Sequence, residues 1–132
     1  MKNILLVLAA ACSINAVCAQ QFVTELFQGE IAQFEDIEIE FVEVLNDSRC
    51  PANVDCIQAG KAVVLVNVYE GGEFVEDREL VFFPSGVVNN RNVTLVAYPD
   101  ISITGLELHP YPEAHQPIRK EDYALVLSVQ YQ

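Results

Sequence analysis

Cys50 and Cys56 carry the most definite chemistry in this sequence, a pair six positions apart in the run FVEVLNDSRCPANVDCIQAGKAVVLVNV. Zinc-binding cysteines are usually separated by only about two to four residues, so the spacing disfavours a metal clasp. In an oxidising compartment a disulfide is the expected bond. Around the pair stand Asp47, Ser48, Arg49, Pro51, Asp55, Gln58 and Gly60. An aspartate can cap a turn and pair with the arginine two residues on, a proline stiffens a loop, and a glycine supplies a conformation that other residues resist. Such residues serve a structural staple or a binding loop equally well. The segment is the first candidate binding site.

A second candidate loop reads HPYPEAHQP and contains His109, Tyr111 and His115. Two imidazoles need at least a third ligand to hold a metal, and the sequence places none nearby. A stiff, proline-rich loop with an aromatic side chain has what recognition needs, because little ordering entropy is left to lose. Asp47, Asp55 and Asp100 are weak oxygen-ligand candidates for calcium. That ion takes about six to eight oxygens, however, and no EF-hand spacing or acidic repeat gathers them. No cofactor is expected. Catalytic signatures are also missing: there is no G-x-S-x-G elbow, H-E-x-x-H helix or phosphate loop. An enzyme is the least expected class.

The first residues decide which cysteines the folded protein keeps. Lys2 precedes an apolar stretch beginning at Ile4, and Val17-Cys18-Ala19 offers small residues at the positions a signal peptidase reads, so residues 1–19 are expected to be a signal peptide cleaved before Gln20. The stretch is too short and too weakly apolar after Ala11 for a retained membrane span. Lipid attachment at Cys12 or Cys18 is the competing fate, but neither has a leucine three positions upstream. Cleavage removes both, leaving Cys50 and Cys56 as an isolated exported pair and one expected disulfide.

Without the leader, six Lys and Arg face nineteen Asp and Glu, a net charge of −13. That balance excludes nucleic acid and anionic lipid surfaces as natural partners, and leaves cations and basic proteins open. About 113 residues remain, enough for one domain over 20–132 with a real core.

The elements that must position both loops read as strands. Apolar residues recur with a period near two, and no helical period is evident beyond the leader. Phe22 to Phe27 is the expected first strand. In Asp36 to Leu45 the apolar face changes parity near Phe41 and Val42, predicting a bulge. Ala62 to Tyr69 is almost continuously apolar and predicts a central strand covered on both faces. Gly71-Gly72 predicts a hairpin into Phe74 to Phe83, ending at Pro84-Ser85-Gly86. Asn92 to Tyr98 and Ile101 to Leu108 form another expected pair, with a bulge at Gly105. In Tyr123 to Tyr131 the residues Tyr123, Leu125, Leu127, Val129 and Tyr131 share one face and Ala124, Val126, Ser128 and Gln130 the other, predicting a terminal strand with one well-buried side. The fold class is therefore all-β, a single antiparallel sandwich or small barrel of seven to eight strands.

Asp47-Ser48-Arg49-Cys50-Pro51, Cys56 and Ala59-Gly60 resemble a motif of small secreted bacterial proteins and lipoproteins, D-S-R-C-P followed by a second cysteine and an Ala-Gly before a strand. The match covers about 28 residues, with weaker echoes in Leu108-His109-Pro110-Tyr111-Pro112 and Asp122-Tyr123. Members often carry Trp two residues after the second cysteine, where this chain has Gln58. The resemblance implies secretion, a β-fold and the disulfide. It implies no activity.

Taken together, the expected protein is a non-enzymatic secreted β-domain in the periplasm or outside the cell. It would bind an exported or surface protein through the two loops, without inserting into a membrane, and its oligomeric state is open. A calcium- or metal-dependent structural module of the envelope and an extracellular protease inhibitor are the alternatives.

Overall fold

Apolar residues recurring with a period near two give most strands one dominant apolar face, so the chain must stack sheets to hide those faces. The computed structural model describes residues 19–84 and 93–132. The expected leader up to residue 18, the strand end at Ser85-Gly86 and the strand start at Asn92 lie outside the described residues.

Eight strands are described: β1 Gln20–Phe27, β2 Ile31–Phe34, β3 Ile37–Asp47, β4 Ala62–Glu70, β5 Glu73–Phe82, β6 Thr94–Ala97, β7 Ile101–His109 and β8 Ala124–Tyr131. They form two antiparallel sheets ordered β1-β8-β7-β6 and β2-β3-β4-β5. One buried cluster draws on both, with Ile39, Phe41, Val64, Val66 and Leu80 from one sheet and Ile103, Leu125, Leu127 and Val129 from the other. The architecture is a sandwich rather than a closed barrel. β2 has no counterpart among the expected strands, being four residues long with only Phe34 fully inside.

The chain changes sheets at Gln28-Gly29-Glu30. Gly29 takes φ 90°, its N–H donates to the Phe41 carbonyl at 2.7 Å, and Phe41 N–H donates back to the Glu30 carbonyl at 3.1 Å. The expected irregularities are present. Register slips between Phe41 and Glu43, again between Val44 and Asn46, and in β7 between Gly105 and Glu107. The first slip lets Ile37, Ile39 and Phe41 and then Val44 all reach the core. Gly71 and Gly72, both at positive φ, make the β4–β5 hairpin.

Two expectations about burial are corrected. β4 is central but covered on one face only: Ala62, Val64, Val66 and Val68 are buried, while Val63, Leu65, Asn67 and Tyr69 are half-exposed. β8, expected to have one buried side, is buried on both from Ala124 to Val129. Lying at the end of the chain does not put it at the edge of the sheet. β1 and β7 flank it, Val126 sits in register between Glu25 and Glu107, and Ser128 accepts a hydrogen bond from Gln21 Nε2 at 3.1 Å.

Candidate functional site

β3 ends at Asp47 and β4 begins at Ala62, and the chain between them closes at its neck. Ser48 N–H donates to the Lys61 carbonyl at 2.9 Å, Lys61 N–H to Ser48 Oγ at 3.1 Å, and Cys50 N–H to the Ala59 carbonyl at 2.9 Å. Gly60 takes φ 71°, and a Cβ there would overlap the Ser48 carbonyl. The glycine is thus required by both conformation and space. Beyond the neck Cys50 and Cys56 form the expected disulfide, with Cα atoms 5.9 Å apart.

Arg49 turns inward and is only 6 % exposed. Its Nε and Nη2 grip the two Asp47 oxygens at 2.8 Å each, Nη1 donates to the Leu108 carbonyl at 2.8 Å, and Nη2 donates to the Pro110 carbonyl at 3.1 Å. This planar fork joins the end of β3 to the end of β7. Asp47 also accepts the Tyr123 hydroxyl at 2.9 Å and the Arg49 N–H at 3.4 Å, so hydrogen bonds reach both its oxygens twice. Burial, the largest single influence, pushes the Asp47 carboxyl up. The hydrogen bonds and charge of Arg49, with the Tyr123 hydroxyl, together outweigh it and hold the group below its ordinary value. Tyr123 is pushed up to about 12, by burial first and then by its bond to the Asp47 carboxylate.

The second loop docks on the first. Tyr111 donates its hydroxyl to the Cys50 carbonyl at 2.8 Å, and its ring lies under the Arg49 guanidinium, 5.1 Å from centroid to Cζ. Ala52 N–H donates to the Pro112 carbonyl and Ala114 N–H to Asn53 Oδ1, each at 3.1 Å. Both candidate loops therefore lie at one end of the sandwich. Tyr111, expected to be free for recognition, instead spends its hydroxyl and one ring face holding the loops together.

What remains outward is the tip. Residues 52–59 are exposed, among them Asp55 and Gln58, and Ile57 is fully so. Pro51, half-buried, stands at its base. Beside this end a cleft of about 220 Å³ is lined by Phe82, Phe83, Leu106, His109, Arg49 and Tyr111, among others. Cofactor and drug-sized ligands usually occupy roughly 300–1,000 Å³, so the cleft suits a side chain better than a small molecule.

The weak metal candidates are not gathered. Asp47 is engaged by Arg49 and Tyr123, and Asp55 lies on the exposed tip. Asp100 is at the other end of the sandwich, beside Glu35 and Asp36, where β3 begins rather than ends. His109 faces Glu107 at 2.9 Å, and His115 occupies an exposed position at φ 63°. Among the described residues no three His, Cys, Asp or Glu side chains are grouped to hold a metal ion.

Leu108, Pro110, Asn53 and Tyr123 complete the site without having been singled out for it. The HPYP and Asp122-Tyr123 stretches that echo the motif's resemblance were the one signal, since Pro110, Tyr111 and Tyr123 converge on Arg49 and Asp47 in space. Compared with known proteins, the chain matches no family model, no curated protein and no solved structure.

Proposed function

We propose that this chain is a non-enzymatic exported β-domain that binds another exported or surface polypeptide through the Asp47–Gly60 loop and the adjoining His109–Pro117 loop. One observation carries the reading: a buried arginine fork ties the two loops together and a disulfide staples the first of them, while the tip they support projects a fully exposed Ile57. A loop held in one conformation before binding loses little entropy when it binds, and an exposed aliphatic side chain on it is a ready anchor. The neighbouring cleft offers a second point of grip, for an apolar side chain of the partner.

The test is site-specific photocrosslinking from position 57 in cells that make and export the protein. A discrete adduct with one exported or surface protein, weakened by Ile57→Ser and by removal of both cysteines, supports the proposal. Absence of any adduct, with loop variants behaving as the parent does, removes it.

A further inference from the structure

The outer face of the β2-β3-β4-β5 sheet has an ordered charge pattern that the loops do not use. On β3 the outward residues Glu38, Glu40 and Glu43 stand opposite Tyr69, Asn67 and Leu65 of β4. On the far side of β4, Phe74, Asp77 and Glu79 of β5 stand opposite the same three residues. Three carboxylates on β3 and two on β5, with Phe74 at the end of the latter row, thus flank a central row that Val63 extends, half-exposed and mostly apolar. At strand spacings of about 4.8 Å the rows are roughly 10 Å apart. Within these four strands the face carries no compensating cation: Arg78, their one basic residue, pairs opposite Val66 on the buried side and contacts Glu76 and the Thr94 carbonyl, and the nearest basic residue in sequence is Lys61, just before β4.

One part of the face, around Tyr69, is held in place. Tyr69 donates its hydroxyl to Glu40 Oε2 at 2.6 Å and meets Phe74 edge-on at 5.8 Å, and Phe74 remains 57 % exposed. The carboxylates are strung along strands instead of converging, which does not suit a metal ion. Distributed negative charge beside apolar and aromatic surface is complementary to distributed positive charge beside apolar side chains. We propose that this face docks a basic, partly apolar polypeptide segment, with its apolar side chains along β4 and its lysine or arginine side chains reaching the carboxylates of β3 and β5. The surface is separate from the loop end and stands or falls independently of it.

The experiment titrates isotopically labelled protein with a synthetic peptide of alternating lysine and leucine, and follows backbone amide shifts by NMR. Saturable shifts confined to β3, β4 and β5 are expected, with binding weakened at least tenfold by the combined variant Glu38→Gln, Glu40→Gln, Asp77→Asn and Glu79→Gln. The matched variant Glu25→Gln, Glu35→Gln, Asp100→Asn and Glu121→Gln, with the same change in net charge, should alter binding less than twofold. A peptide with serine in place of leucine should bind at least fivefold more weakly. Equal weakening by both variants, shifts centred elsewhere, no saturable binding, or indifference to the leucines would each overturn the proposal. The shift map on the parent protein keeps the test decisive if the multiple variant misfolds.

Discussion

Arg49 Nη1 donates a hydrogen bond to the Leu108 carbonyl at 2.8 Å across 59 residues of sequence, and this contact turns two loops into one surface. The same guanidinium grips Asp47, so the end of β3, the end of β7 and the start of β8 all meet through one side chain and its carboxylate. Removing one partner of a buried pair leaves the other charge without compensation. Arg49→Ala should cost about 3 to 5 kcal/mol of unfolding free energy in urea titrations, with Arg49→Lys between it and the parent, because an ammonium keeps the charge and loses the fork. A loss below about 1 kcal/mol for the alanine variant would mean that the pair does not hold this end.

The Asp47–Tyr123 contact predicts a stability loss at each end of the pH scale. Asp47 titrates lower in the folded protein than unfolded, so its contribution is present above roughly pH 4 and disappears as pH falls through the folded value. Tyr123 titrates higher when folded, so its contribution is complete below pH 10 and is lost as pH rises toward about 12. Tyr123→Phe should flatten the alkaline limb of melting temperature against pH, and Asp47→Asn the acid limb. Unchanged limbs would contradict the assignment.

Gly60 and Gly71 both adopt positive φ, but their surroundings differ. A Cβ on Gly60 would overlap the Ser48 carbonyl, whereas one on Gly71 would meet nothing within 4 Å. Gly60→Ala should therefore destabilise by on the order of 3 kcal/mol, conformational strain and clash together, and Gly71→Ala by about 1 kcal/mol from strain alone. Equal costs in thermal unfolding would show that the neck relaxes freely.

Loss of the disulfide should be a local event. The loop it closes is short, and by chain entropy the bond contributes roughly 2.4 kcal/mol. The Cys50→Ser, Cys56→Ser double variant should lower stability by no more than about that amount, with faster hydrogen exchange confined to residues 50–59. Global unfolding would give the staple a larger part than its position implies.

Much of the fold was legible because strand alternation is a local property. The parity change at Phe41, the Gly71-Gly72 hairpin and the Gly105 bulge follow from neighbours in sequence, and so does pairing of Asp47 with Arg49. The side of a strand that another part of the chain covers is not local. β4 is rich in valine yet half-exposed on its outer face, while β8, equally central in its own sheet, is buried there too as far as Val129, with Gln21 bonded to Ser128 and Val126 in register between Glu25 and Glu107. β2 was too short to show a period. The reach of Arg49 to Leu108, Pro110 and Tyr111 could not be read from spacing, since the contacts span about sixty residues; the motif echo at residues 108–112 marked the second stretch without saying that the two meet.

Native-state hydrogen exchange at Ala52 and Ala114 tests the central claim most directly, because each amide belongs to one loop and donates to the other. If Arg49 makes the loops one unit, both amides are protected in the parent protein and lose protection together in Arg49→Lys, while amides of the β4–β5 hairpin keep theirs. Exchange at unprotected rates in the parent, or loss at one amide with retention at the other, would contradict it.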